Sequence, residues 1–188
     1  MKWSAVTAAA VIGIFGVSMS SEANRAYIMQ EVNKLFGNDV NTELDNVKVL
    51  ESDRTEVQAY QDIENTFNIK MPRFFYSPGG MEYLDYILDV DAQHAFVRYA
   101  YGEQILYLSI FVNEKEISRI TQEDSGSHLG DIESNLTANL TCTLWEIFEE
   151  EDTEPTYSLK WNYKNTHCEF LGKMNKEEMS KLAKEIMY

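Results

Sequence analysis

Polar and apolar positions alternate most cleanly near the end of the chain. Tyr157, Leu159, Trp161 and Tyr163 interleave with Ser158, Lys160, Asn162 and Lys164. A period of two marks an antiparallel strand with one buried and one solvated face. The stretch 140–148 is rich in β-branched and aromatic residues and predicts the strand before it. Between them, 149–155 is an acidic connection ending at Pro155. Asn165 and Thr166 form a short turn into a strand over 167–171, and Gly172 is expected to release the chain from the sheet. Asn175 followed by Glu178 fits a capped helix start, and Met179, Leu182, Ala183 and Ile186 follow at helical spacing. A helix this short is marginal alone, so its apolar stripe must cover the sheet.

Upstream the period changes from one element to the next. Ile28, Val32, Leu35 and Phe36 predict a helix over 26–36, stopped at Gly37. The stretch 38–54 is polar and turn-rich and reads as a linker. Val57, Tyr60, Ile63 and Phe67 form the stripe of a second amphipathic helix, with the helical region ending at Met71 and Pro72. A short extended piece starting at Arg73 runs into a Pro78-Gly79 turn. Leu84, Tyr86, Leu88 and Val90 alternate with Asp85, Asp89 and Asp91, a strand with an acidic outer face. Strands are expected over 95–101, 105–112 and 116–121, and a polar loop over 122–135. The fold class expected is α+β: an antiparallel meander of about six or seven strands, with amphipathic helices before and after it.

Residues 3–19 are apolar, with only Ser4, Thr7, Gly13, Gly16 and Ser18 interrupting. As a helix they reach about 25 Å, against a hydrocarbon core of about 30 Å. Lys2 before and Glu22 after orient the rest of the chain outward. Two readings stand: a single-pass anchor, or a signal peptide cleaved near Ser21-Glu22-Ala23. Both carry the remainder across a membrane. No cysteine lies near, so a lipid-modified anchor is not expected. The organisation read is 1–23 anchor or signal, 24–54 helix and linker, and 55–188 an extracytoplasmic domain.

Charge narrows the partners. The net charge is −15 over 188 residues, which argues against nucleic acid, whose phosphates are bound by Lys and Arg. The lipid bilayer enters only through residues 3–19. Cys142 and Cys168 are open to two readings, one disulfide across the sheet or two free thiols.

Candidate chemistry is sparse. His94, His128 and His167 lie in no metal-protease spacing, and His167 and Cys168, being adjacent in a strand, point to opposite faces. Ser125-Gly-Ser-His128 reads as turn chemistry, though a remote Ser-His-Asp set is recognised by geometry and not by sequence. Glu149, Glu150, Glu151, Asp152 and Glu154 could supply oxygens to Ca²⁺ but lack the spacing of a calcium loop; a solvated turn is the plainer reading. Asp85, Asp89 and Asp91 have the same plain reading. Tyr157, Trp161 and Tyr163 could line a groove or fill the core. The glycosylation sequons at Asn135 and Asn139 are read as incidental. No catalytic residue, cofactor site or metal site is assigned.

Three motifs carry a resemblance. The first is the apolar stretch running into Asn24-Arg-Ala-Tyr-Ile-Met-Gln-Glu-Val-Asn-Lys-Leu-Phe36. The second is Ile69-Lys-Met-Pro-Arg-Phe-Phe-Tyr-Ser-Pro-Gly-Gly-Met81. The third runs from Trp161-Asn-Tyr163 to the helix of Gly172-Lys-Met-Asn-Lys-Glu-Glu-Met-Ser-Lys-Leu-Ala-Lys-Glu-Ile186. The chain resembles a bacterial domain-of-unknown-function family of single-span membrane proteins. Some members are similar to the extracytoplasmic part of anti-sigma-factor-type regulators. The resemblance implies a non-enzymatic sensory or binding module outside the membrane, with an unknown protein or small ligand as partner. Regulators of that type hold a sigma-binding segment in the cytoplasm; only Met1 and Lys2 precede the apolar stretch here, so no such segment is expected. The competing expectations are a secreted hydrolase with a non-local site using His94, His128 or His167, and a structural envelope protein.

Overall fold

The computed structural model describes residues 47–50, 54–112, 126–148 and 154–188. The apolar stretch 3–19, the helix expected over 26–36, the strand expected over 116–121 and most of the acidic connection lie outside the described residues. In chain order the elements are β1 (Val47–Leu50), α1 (Glu56–Phe67), β2 (Arg73–Phe74), β3 (Met81–Asp89), β4 (His94–Tyr101) and β5 (Gln104–Phe111). They continue with β6 (Ser127–Glu133), β7 (Thr141–Ile147), β8 (Thr156–Tyr163), β9 (Thr166–Gly172), α2 (Lys176–Lys184) and β10 (Ile186–Met187).

The described part is mostly β. Seven long antiparallel strands and the short β1 form one sheet, in the order β1-β3-β4-β5-β9-β8-β7-β6, and β2 pairs with β10 beside it. This corrects the expected single meander. Two meanders, β3 to β5 and β6 to β9, meet where β9 lies against β5, with Leu108 opposite Phe170 and Ile110 opposite Cys168. The physical reason lies in β5 and β9 themselves. They are apolar on the face that carries Leu106, Leu108, Ile110, Cys168 and Phe170, all fully buried, so they take the middle of the sheet.

Two further elements depart from expectation. β6 falls within the stretch read as a loop, and β1 within the stretch read as a linker. β6 is an edge strand with Ser127, His128, Asp131 and Glu133 exposed, so it has little apolar alternation to reveal it. Gly172 does not release the chain but ends β9. A Cβ there would stand 3.2 Å from the Leu106 Cα, so glycine is what lets β9 approach β5.

One face of the sheet carries the core. Tyr86, Val97, Leu108, Phe170, Leu159 and Leu144 face one another in a single row across six strands. Both helices lie on this face. α1 starts at Thr55, whose hydroxyl accepts from the Gln58 N–H while the Gln58 side chain accepts from the Thr55 N–H, a reciprocal cap worth about 1 kcal/mol. It ends at Asn68, whose left-handed backbone (φ 52°) turns the chain before Pro72 is reached. α2 starts at Asn175, whose side chain accepts from the Glu177 N–H; Glu178 turns away from the cap to Tyr76 and Lys181. Ile186, expected on the helix, sits in β10 opposite Phe74 and is fully buried.

The other face is not the solvated one that alternation predicts. Ser158 and Lys160 are buried, as are His94, Ser109 and His167. Several of these polar groups are matched locally. The Ser158 hydroxyl donates to Glu169 at 2.6 Å, the Lys160 ammonium lies 3.7 Å from the same carboxylate oxygen, and His167 Nδ1 is 2.8 Å from Asn162 Oδ1. A polar residue buried with its partner reads in sequence like an exposed one, so alternation alone assigns this face to solvent.

Candidate ligand cleft

α1 meets the sheet through hydroxyls as well as through Ala59 and Ile63. The Tyr99 hydroxyl donates to Glu56 Oε1 at 2.8 Å, and the Tyr60 and Tyr99 hydroxyls are 2.7 Å apart. Tyr99 has one proton and gives it to Glu56, so Tyr60 is the donor to Tyr99. The Tyr86 hydroxyl donates to Asp62 at 2.6 Å. Below α1, a cleft of about 220 Å³ opens between the helix, β2 and the adjoining ends of β3 and β4. It is lined by Glu56, Val57, Tyr60, Phe74, Tyr83 and Tyr99, with Arg73, Ser77 and Met81 completing the wall.

Charges in the cleft are few and defined. The Arg73 guanidinium lies 4.7 Å over the Tyr60 ring and is paired with Glu64 at 3.3 Å. Glu64 also accepts from the Met71 N–H, which fixes the chain as it leaves α1. Tyr83 meets the Tyr99 ring edge-on, centroids 6.3 Å apart. Burial first, and nearby Asp85, Glu56 and Asp62 next, push the Tyr83 hydroxyl up to about 12. Burial also raises Tyr60 and Tyr99 well above the ordinary phenol range. These hydroxyls therefore stay protonated at neutral pH, and those of Tyr60 and Tyr99 give their protons to Tyr99 and Glu56.

The residues singled out in the sequence are dispersed. His94 is buried between Phe96 and Phe111, ring centroids 3.8 Å away on each side, and its Nε2 has no hydrogen-bond partner among the described residues. Desolvation lowers it to about 3. His128 is exposed on β6, 3.4 Å from Asp131. His167 meets Asn162 on the buried second face. Among the described hydrogen bonds none joins these histidines to a serine. Among the described residues no group of three or more His, Cys, Asp or Glu is placed to hold a metal ion.

The aspartates of β3 correct the picture of a uniformly solvated acidic face. Tyr83 pairs with Tyr99 and Asp85 with Arg98, so a bulge at Leu84 shifts the register and turns Leu84 off the core face. Asp85 binds the Arg98 guanidinium through both of its oxygens, Asp89 accepts from the Ala92 N–H at 2.8 Å, and Asp91 is exposed. Of the acidic connection, Glu154 is described and exposed. Tyr157 and Trp161 belong to the core, while Tyr163 stacks on Tyr188 at 3.7 Å. Cys142 and Cys168 are buried free thiols, each raised to about 12 by burial. Trp161 on β8 lies between their strands, so they stand two strand spacings apart, about 9.6 Å, beyond the reach of a disulfide.

The cleft is not visible in the sequence. Glu56 and Tyr60 stand one turn apart on α1, but Tyr83 and Tyr99 are brought to them only by the sheet. Val57, expected on the buried stripe, is instead 61% exposed at the cleft rim. The Thr55-x-x-Gln58 cap is the one local signal, because it fixes where α1 begins and so which way Glu56 and Val57 face.

Residues 71–186 match the family described as Domain of unknown function (DUF4367). No curated protein and no solved structure matches the chain. Among the described residues no helix is long and apolar enough to cross a membrane.

Proposed function

This chain belongs to the DUF4367 family, and we propose that it is a non-enzymatic binding module. In this reading residues 3–19 tether it to a membrane, the sheet domain stands outside, and it serves as the sensory part of an envelope regulator. The observation that carries the binding role is the cleft under α1. Its tyrosine hydroxyls form a chain that ends on Glu56, and the Tyr99 hydroxyl holds that carboxylate at the cleft wall. A carboxylate held in place beside aromatic walls suits recognition of a small group. The tether rests on the apolar run and the flanking charges of the sequence.

The test is fractionation of cells expressing the native chain, with protease added to intact protoplasts and the intact mass of the product measured. Full-length mass in the membrane fraction, with the domain digested from outside, is expected. A domain protected until the cells are lysed contradicts an external module. A soluble product starting near Asn24 removes the tether and leaves a secreted binding protein.

A further inference from the structure

A cation already sits on this ring system. Arg73 covers the Tyr60 ring, and its charge is matched by Glu64. That leaves the Tyr83 and Phe74 rings and the Met81 side chain lining the rest of the cleft, beside Glu56. Glu56 Oε1 accepts from Tyr99, while its second oxygen takes no hydrogen bond among the described residues. Near Tyr83 stand Asp85, which is bound by Arg98, Asp62, which is paired with Arg54, and Glu56. At the Tyr60 hydroxyl Glu56 outweighs even the adjacent Arg73. Of the two charged groups that line the cleft, Arg73 is engaged by Glu64, which leaves Glu56 to face a ligand. The cleft, at about 220 Å³, is smaller than the roughly 300–1,000 Å³ of sites for drug-sized ligands. It fits a single chemical group on a short stem.

Resting on the binding reading above, we infer that the cleft takes an alkylammonium group, with Glu56 as counter-charge and the rings of Tyr83 and Phe74 as cation–π faces. A free quaternary amine and the lysine side chain of a partner protein share this chemistry. Val57, exposed by 61%, provides apolar surface at the cleft rim. It would meet the stem that carries the charge.

The experiment is calorimetric titration of the full chain at low salt with three probes. These are choline chloride, its uncharged carbon isostere with tert-butyl in place of trimethylammonium, and Nα-acetyl-lysine amide. Choline or the lysine amide is expected to bind at least about tenfold tighter than the isostere. Whichever of the two binds tighter identifies the source. Glu56→Gln is expected to lose about tenfold for the cation and nothing for the isostere. Tyr83→Leu should lose a similar factor while Tyr83→Phe retains binding, which keeps the test decisive if the Glu56 variant fails to fold. Equal binding of choline and isostere, or full cation affinity in folded Glu56→Gln, overturns the cation assignment and leaves a cleft that binds apolar groups. Binding of none of the probes also overturns it, and the protoplast experiment then decides the tethered-module reading separately.

Discussion

The two helices cover the same face of one sheet, and they do it by different means. α2 presents Met179, Leu182 and Ala183, with Ile186 just beyond it, and each is fully buried. α1 buries Ala59, Tyr60 and Ile63, but three of its contacts to the sheet are hydrogen bonds from tyrosine hydroxyls. Methyl groups close a gap, because dispersion and burial both reward contact. A hydroxyl pair sets a distance of about 2.7 Å and a direction, and large phenol rings hold the backbones apart. The apolar contact serves the fold. The hydrogen-bonded one has room beside it, and that room is the cleft.

The largest effect expected from breaking this contrast is at α2. Leu182→Ala should lower stability to denaturant by about 2–5 kcal/mol, since the side chain is fully buried. Binding in the cleft, measured well below the unfolding transition, should be unchanged. A loss under about 1 kcal/mol would mean that the α2 contact collapses easily and is not the tight one.

His94 extends the comparison to the second face, where its Nε2 is buried with no hydrogen-bond partner among the described residues. Its folded value, about 3, lies below the 6.5 of an unburied histidine. Below pH 6.5 the unfolded chain therefore binds a proton that the folded chain does not. Stability is fully present above that value and is lost as pH falls toward 3. The slope is about 1.4 kcal/mol per pH unit. Denaturant titrations between about pH 6.5 and 5, before most carboxylates titrate, should show this slope in the native chain and its absence in His94→Phe. An unchanged slope in the variant would place the acid sensitivity elsewhere.

At α1 the expected cost is smaller and falls on function as well. Tyr99→Phe removes the link of the hydroxyl chain, leaving Tyr60 and Glu56 without that partner, at about 1–3 kcal/mol. It should also loosen Glu56 and weaken cation binding several-fold. A variant that loses stability but binds choline as before would separate the hydroxyl chain from the site. The smallest effect is at the rim. Val57→Ala should change stability by less than about 0.5 kcal/mol, because most of the side chain is exposed, yet it should weaken ligands that carry an apolar stem.

The sheet is legible in the sequence where one face is apolar and the other polar. The strands around Tyr157, Ala95 and Ile105 lie within a residue or two of their expected ends for that reason. The same rule misleads at Leu84, where a perfect alternation through Tyr86 and Leu88 hides a bulge. It misleads again at Ser158 and Lys160, which are polar and buried because Glu169 on the next strand answers them. β6 escapes because an edge strand carries little apolar signal. The order of strands is not legible, since pairing of β5 with β9 joins residues about sixty positions apart. The candidate site is illegible for the same reason: Tyr99 reaches Tyr60 across 39 positions and Glu56 across 43. Membership of a domain-of-unknown-function family is legible from local turn and cap motifs, which are specific for a fold and silent on chemistry.

The measurement that bears most directly on the cleft is a titration of choline chloride into the full chain carrying isotope-labelled tyrosine rings, followed by NMR. Saturable shifts at Tyr60, Tyr83 and Tyr99, with Tyr157, Tyr163 and Tyr188 unmoved, are predicted. Shifts confined to Tyr157, Tyr163 and Tyr188, or none at any tyrosine, would contradict a ligand site under α1.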